Sequence, residues 1–95
     1  MVTNLMFMKF NDKSPENLAL AKNTILSMKG NIEPLIDVRV KEDLHHGGQS
    51  YDFAVFTEFA SEADFQAYIV HPLHAEVGKK ITDMCESIVM VFYED

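Results

Sequence analysis

Cysteine occurs once in this chain, as Cys85, which excludes a disulfide within it and fits a reducing compartment. Basic residues are also scarce: 8 Lys and Arg stand against 15 Asp and Glu, a formal charge of −7. A surface of that sign repels a phosphate backbone, so nucleic acid is a poor partner, and no basic stripe points to an anionic membrane. No apolar run approaches the roughly 20 residues of a membrane span. The opening Met1-Val2-Thr3-Asn4 lacks the charged start of a secretory signal, so the expected location is the cytoplasm. Gly-rich phosphate loops, a Ser-His-Asp order, redox motifs, internal repeats and low-complexity tracts are all missing.

What is present is a chain of 95 residues, 47% of them hydrophobic, which is enough for one domain over residues 1–95 and too much for a disordered segment. Its core must be modest, because short chains bury a smaller fraction of their surface than long ones, and a partner would add to it. Val2 to Phe10 is almost wholly apolar, with Leu5 and Phe7 on one alternating set and Met6, Met8 and Phe10 on the other. That pattern predicts a strand covered on both faces. Ser14-Pro15 is a helix start, Leu18, Ala21, Ile25 and Met28 form one stripe, and Gly30 is the expected stop. After Pro34, Ile36, Val38 and Val40 alternate with Asp37, Arg39 and Lys41 as a half-buried strand. Tyr51 to Phe59 reads as a third strand. Ser61 caps a short helix that buries Phe65 and Tyr68, with Ile69 beside them. Leu73, Val77, Ile81 and Met84 then mark a further helix, interrupted by Gly78, and Ser87 to Tyr93 a last strand.

The order β-α-β-β-α-(α)-β predicts an α+β, ferredoxin-like βαββαβ fold with a four-stranded antiparallel sheet. Right-handed crossovers put the helices on one face. The other face should then be polar, yet the first, third and last strands carry bulky apolar side chains on both sides. A second copy packed sheet to sheet would cover them, so a homodimer through the sheet face is expected.

The segment Tyr68-Ile69-Val70-His71-Pro72-Leu73-His74 holds the strongest candidates for a site. Proline disfavours α conformation in the residue before it and itself suits the first helical position, so His71 is expected at the N-cap and His74 in the first turn. The helix dipole there opposes protonation of an imidazole, leaving His74 neutral and able to accept a proton. Against this stand blander readings: a His74 that ties the helix start to backbone, a His71 that orders the break, and a Tyr68 that belongs to the core. Asn4, on an apolar strand, needs hydrogen-bond partners if buried. His45-His46 falls in a Gly-rich segment read as a flexible loop, and four histidines without a cysteine pair match no metal-ligand spacing, so no metal or cofactor is expected.

The opening strand Leu5–Phe10, the strand Ser50-Tyr51-Asp52-Phe53-Ala54-Val55, the Tyr-x-x-His-Pro-x-His run and the closing Ser87–Glu94 together resemble the stress-responsive dimeric α/β-barrel (Dabb) family over nearly the whole chain. The resemblance implies a ferredoxin-like protomer and a dimer whose sheets form a shared barrel. It fixes no activity. The chain is distantly similar to plant polyketide cyclases, in which a His after the His-Pro break is the base of an aldol-type closure. That resemblance assigns the catalytic position to His74, and matches Tyr68 to a pocket tyrosine and His71 to the first histidine of the motif. Where those cyclases have a second His on the first strand, this chain has Asn4, which can orient a carbonyl or water but cannot carry a proton. Two functions are therefore expected: a dimeric protein binding a small apolar or carbonyl-containing ligand between helices and sheet, with Asn4, Tyr68 and His71 as contacts; or a cofactor-free cyclase, isomerase or lyase with His74 as general base. A purely structural homodimer is the third reading.

Overall fold

The computed structural model describes residues Met1 to Asp95. Strand β1 runs over Val2–Phe10, helix α1 over Pro15–Leu26, β2 over Asp37–Glu42, β3 over Phe53–Phe59, α2 over Glu62–Ile69, α3 over Pro72–Met84 and β4 over Cys85–Glu94. The sheet order is β2-β3-β1-β4, with every neighbouring pair antiparallel. This is the ferredoxin-like arrangement expected from the element order.

Register decides which side chains meet the helices. Met6 pairs with Val55 on one side and Met90 on the other, and Met8 with Phe53 and Ile88. These positions, with Val38 and Val40 of β2, face the helices, and the core closes on them, except on the exposed Met90 at the sheet edge, with Leu18, Ala21 and Ile25 of α1 and Val77 and Ile81 of α3. On the opposite face Leu5 lies between Phe56 and Val91, and Phe7 between Ala54 and Val89. That face is apolar along β3, β1 and β4 and polar along β2, where Arg39 lies over the Phe56 ring at 4.7 Å and bonds Glu58 at 3.3 Å. Val89 and Val91 are exposed.

Local chemistry explains the element ends. Ser14 Oγ accepts from the Asn17 amide at the start of α1, and Ser61 Oγ from the Asp64 amide at the start of α2. Helix α1 ends at Leu26 rather than continuing to Gly30, because the amides of Met28 and Lys29 bond three residues back, to Ile25 and Leu26. Met28 reaches the core from this tightened turn, and Gly30 follows in the left-handed region at φ 77°. β3 starts at Phe53, two residues later than its alternation suggests, and β4 starts at Cys85, directly after α3. Ile69 is exposed, not buried beside Tyr68.

Candidate functional site

Pro72 begins α3, and His71 sits before it with extended backbone, φ −69° and ψ 135°. Its Nδ1 accepts from the Leu73 amide at 3.1 Å, so the His71 ring is the N-cap. One turn on, His74 Nδ1 lies 3.2 Å from the carbonyl oxygen of Ile69. A carbonyl can only accept, so Nδ1 carries the proton. In the neutral ring Nε2 then holds the lone pair, and no protein group bonds to it. Burial lowers the His74 pKa below the ordinary 6.5, outweighing the Ile69 bond, and the His71 ring adds to the lowering. The base form is therefore the one present at neutral pH.

Tyr68 is buried at the end of α2, its ring centroid 4.2 Å from that of His74 and 4.9 Å from Phe59. Its hydroxyl meets only the thioether of Met28, at 3.9 Å, a weak acceptor. Burial pushes its pKa up, so it stays a phenol and a donor.

Both rings border a cavity of about 210 Å³ between helices and sheet. Met6, Met8 and Val55 form its floor, with Ile88 and Met90 of β4 at its side. The helical wall comes from Ile25, Val77 and Ile81, and the only lining residues that are not hydrophobic are His74, Gly78 and Thr82. The half-open cavity thus offers an apolar lining, one imidazole nitrogen able to accept and one phenolic hydroxyl without a strong partner.

The other two sequence candidates stand apart from it. His71 spends its Nδ1 on the cap and is not on the lining. Asn4 faces the helices one pair along from Met6, between Thr57 and Phe92, and is also off the lining. Its Oδ1 is buried and has no hydrogen-bond donor within the chain.

A second polar cluster escaped the sequence reading. The side chain of Asp52 is fully buried and accepts from the Phe10 amide at 2.9 Å, from Lys13 Nζ at 2.6 Å and from His46 Nδ1 at 2.7 Å. His46 Nε2 donates in turn to Glu42 at 3.1 Å. The histidine stands in the left-handed region at φ 51°, and its amide is held by the Asp43 carboxylate at 2.7 Å. The segment read as a flexible loop is therefore tied down at His46. Bonds to Asp52 and then Glu42 raise the His46 pKa above 6.5. Burial drives the Asp52 carboxyl up, but Lys13, the Phe10 amide and His46 outweigh it and hold the group below the usual range. Cys85 lies near this cluster, and burial pushes its thiol up to about 11, so it is not a reactive thiolate. The only signal in the sequence was an aspartate just before the alternating run of β3, with a histidine six residues before it.

Comparison with known proteins places this geometry in context. A dimeric protein of unknown function and ferredoxin-like fold from Bacteroides fragilis is 26% identical, with a TM-score of 0.81 over 99% of this chain and 95% of its own. A dimeric ferredoxin-like protein of unknown function from Thermobifida fusca is 24% identical, with a TM-score of 0.86 over 99% of this chain and 90% of its own. A hydroxynitrile lyase from Passiflora edulis shares the fold at 20% identity and a TM-score of 0.84, covering 97% of this chain and 90% of the lyase. No curated protein matches the chain. No helix is long and apolar enough to cross a membrane. The model of the stress responsive A/B barrel domain, Dabb, matches residues 2–95, and the chain belongs to that family.

Proposed function

We propose that this protein binds a small, mostly apolar molecule carrying a hydroxyl or carbonyl group in the cavity beside His74. The observation that carries the reading is a half-open apolar cavity of about 210 Å³ that meets an imidazole with one uncommitted nitrogen. An apolar cavity of roughly 150 Å³ accommodates benzene, so the space suits a single substituted ring or a short branched chain. A ligand hydroxyl donates to His74 Nε2, and a carbonyl accepts from Tyr68. His71 supports the site by fixing the start of α3, and Asn4 lies beyond its edge. Calorimetric titration with phenol tests this. His74→Leu and Tyr68→Phe should each weaken binding about tenfold or more, as removal of one buried hydrogen bond does. Equal binding by all three proteins would refute the site.

The chemistry of the same groups supports a second reading, a cofactor-free lyase, isomerase or cyclase. Nε2 of neutral His74 takes a proton from a hydroxyl or from the carbon beside a carbonyl. In the latter case the electron pair moves onto the carbonyl oxygen, where the Tyr68 hydroxyl donates to it. The imidazolium so formed keeps its Nδ1 bond to Ile69 and returns the proton at a later step. The lowered His74 pKa favours this reading, since a base must be unprotonated at working pH. Turnover of a small carbonyl compound that His74→Gln abolishes would establish it.

The proposal includes a homodimer formed through the open face of the sheet. The apolar row of Leu5, Phe7, Phe56, Val89 and Val91 supports it, as do the dimeric structures from Bacteroides fragilis and Thermobifida fusca. A reducing, cytoplasmic location is part of the same reading and rests on the lone thiol of Cys85.

A further inference from the structure

Gly78 lies in the interior of α3, a helix of 13 residues, where glycine is the worst residue after proline. Two structural reasons can demand glycine, and neither applies here. The first is a left-handed backbone, but Gly30 is the only glycine with positive φ. The second is a close approach, but a Cβ placed at Gly78 would meet only His74 Cε1, at 3.9 Å, an ordinary contact distance. The helix therefore gives up stability at this position without a steric need of its own. Gly78 does have a place in the cavity, however. It lines the wall one helical turn after His74, beside the imidazole carbon that lies between the bonded Nδ1 and the free Nε2. A side chain there would occupy the space next to the free nitrogen.

We propose that Gly78 is the specificity-determining residue of the cavity: its missing side chain gives ligands access to His74 Nε2 and sets how wide a ring can lie against it. This rests on the binding reading above and adds to it the ligand's shape. A ring held against α3 occupies the place of a Cβ, so the ligand is flat at the end bearing the hydroxyl, as a phenol or enol is. A methyl group fills about as much space as a water molecule, roughly 30 Å³, which is a sizeable part of so small a cavity. A leucine side chain would take up several times that space.

The test uses the full chain and two probes of increasing width, phenol and 2-naphthol, followed through the His74 imidazole resonances. In the wild type both probes should shift those resonances. Gly78→Ala should raise the melting temperature by several degrees, since it restores a better helix former, while weakening 2-naphthol about tenfold and phenol less. Gly78→Leu should lose both probes. Should Gly78→Leu fail to fold, the alanine variant alone still decides the matter through its two affinities. Binding of both probes at wild-type strength by Gly78→Ala would overturn the proposal while leaving the cavity's role intact. Failure of the wild type to bind either probe would instead overturn the binding reading, and this inference with it. A fall in the melting temperature of Gly78→Ala would also count against the proposal, because it would mean that the glycine is required by packing.

Discussion

Each histidine in this chain is defined by what its two nitrogens meet. His74 bonds a carbonyl through Nδ1 and leaves Nε2 free, whereas His46 meets a carboxylate through each nitrogen. Their pKa values move in opposite directions as a result. The sign for His46 is that of a raised group: its contribution to stability is fully present below about pH 6.5 and is lost as pH rises through its folded value. Asp52 is a lowered group, so its contribution is present above its ordinary 3.8 and is lost as pH falls further. The cluster is therefore strongest between those limits. Urea midpoints of wild type and His46→Gln should differ most near pH 5 to 6 and converge on the alkaline side of His46's folded value. Taking the difference removes the opposing slope from His74, which destabilises the fold as it is protonated. Asp52→Ala should cost about 2–4 kcal/mol at pH 6, because the buried Phe10 amide and Lys13 lose their acceptor. A cost under 1 kcal/mol by denaturant titration would show that the cluster is not structural. None of this was legible beforehand, because Lys13 lies 39 residues from Asp52 and only the folded sheet brings them together.

At the scale of elements, the Pro72 break does two jobs through two neighbouring rings. His71 caps α3 and His74 opens towards the cavity. Asn accepts from a helix amide as well as an imidazole does, so His71→Asn should keep stability within about 0.5 kcal/mol and leave phenol binding intact, while His71→Ala should cost about 1 kcal/mol. Loss of binding in a well-folded His71→Asn protein would move His71 from the cap into the ligand site. The elements themselves were largely legible. Alternation gives the strands, Ser-Pro and His-Pro give two helix starts, and proline before His74 places it in a first turn. The misplaced ends have physical causes. Met28 continues the apolar stripe from a tightened turn beyond α1, and Tyr51-Asp52 continues the alternation of β3 while the Asp52 amide bonds Met8 and its carboxylate serves the polar cluster. Tyr68 and His74 were each legible as candidates, but their ring contact follows from the way α2 and α3 meet at the break. Gly78 was read only as an interruption, because its cavity-facing position appears once α3 is laid on the sheet.

For the whole molecule the decisive asymmetry is between the two faces of the sheet. One packs against the helices around the cavity and leaves only the apolar Met90 and Phe92 exposed at its β4 edge; the other carries an apolar row along β1, β3 and β4. Val91 is 56% exposed within the protomer, so Val91→Arg should leave helix and strand content unchanged. In a sheet-to-sheet dimer it buries a charge, which is costly without a partner. Light scattering at micromolar concentration should therefore give a dimer mass for the wild type and a monomer mass for Val91→Arg. A wild-type monomer would remove the dimer.

The most direct measurement is a crystal structure of the protein soaked with phenol. The expected result is a ring in the cavity against Gly78, its oxygen within hydrogen-bond distance of His74 Nε2 and the Nδ1 bond to Ile69 retained. A cavity filled by its own side chains, or one that stays without phenol at saturating concentration, would contradict a ligand site beside His74.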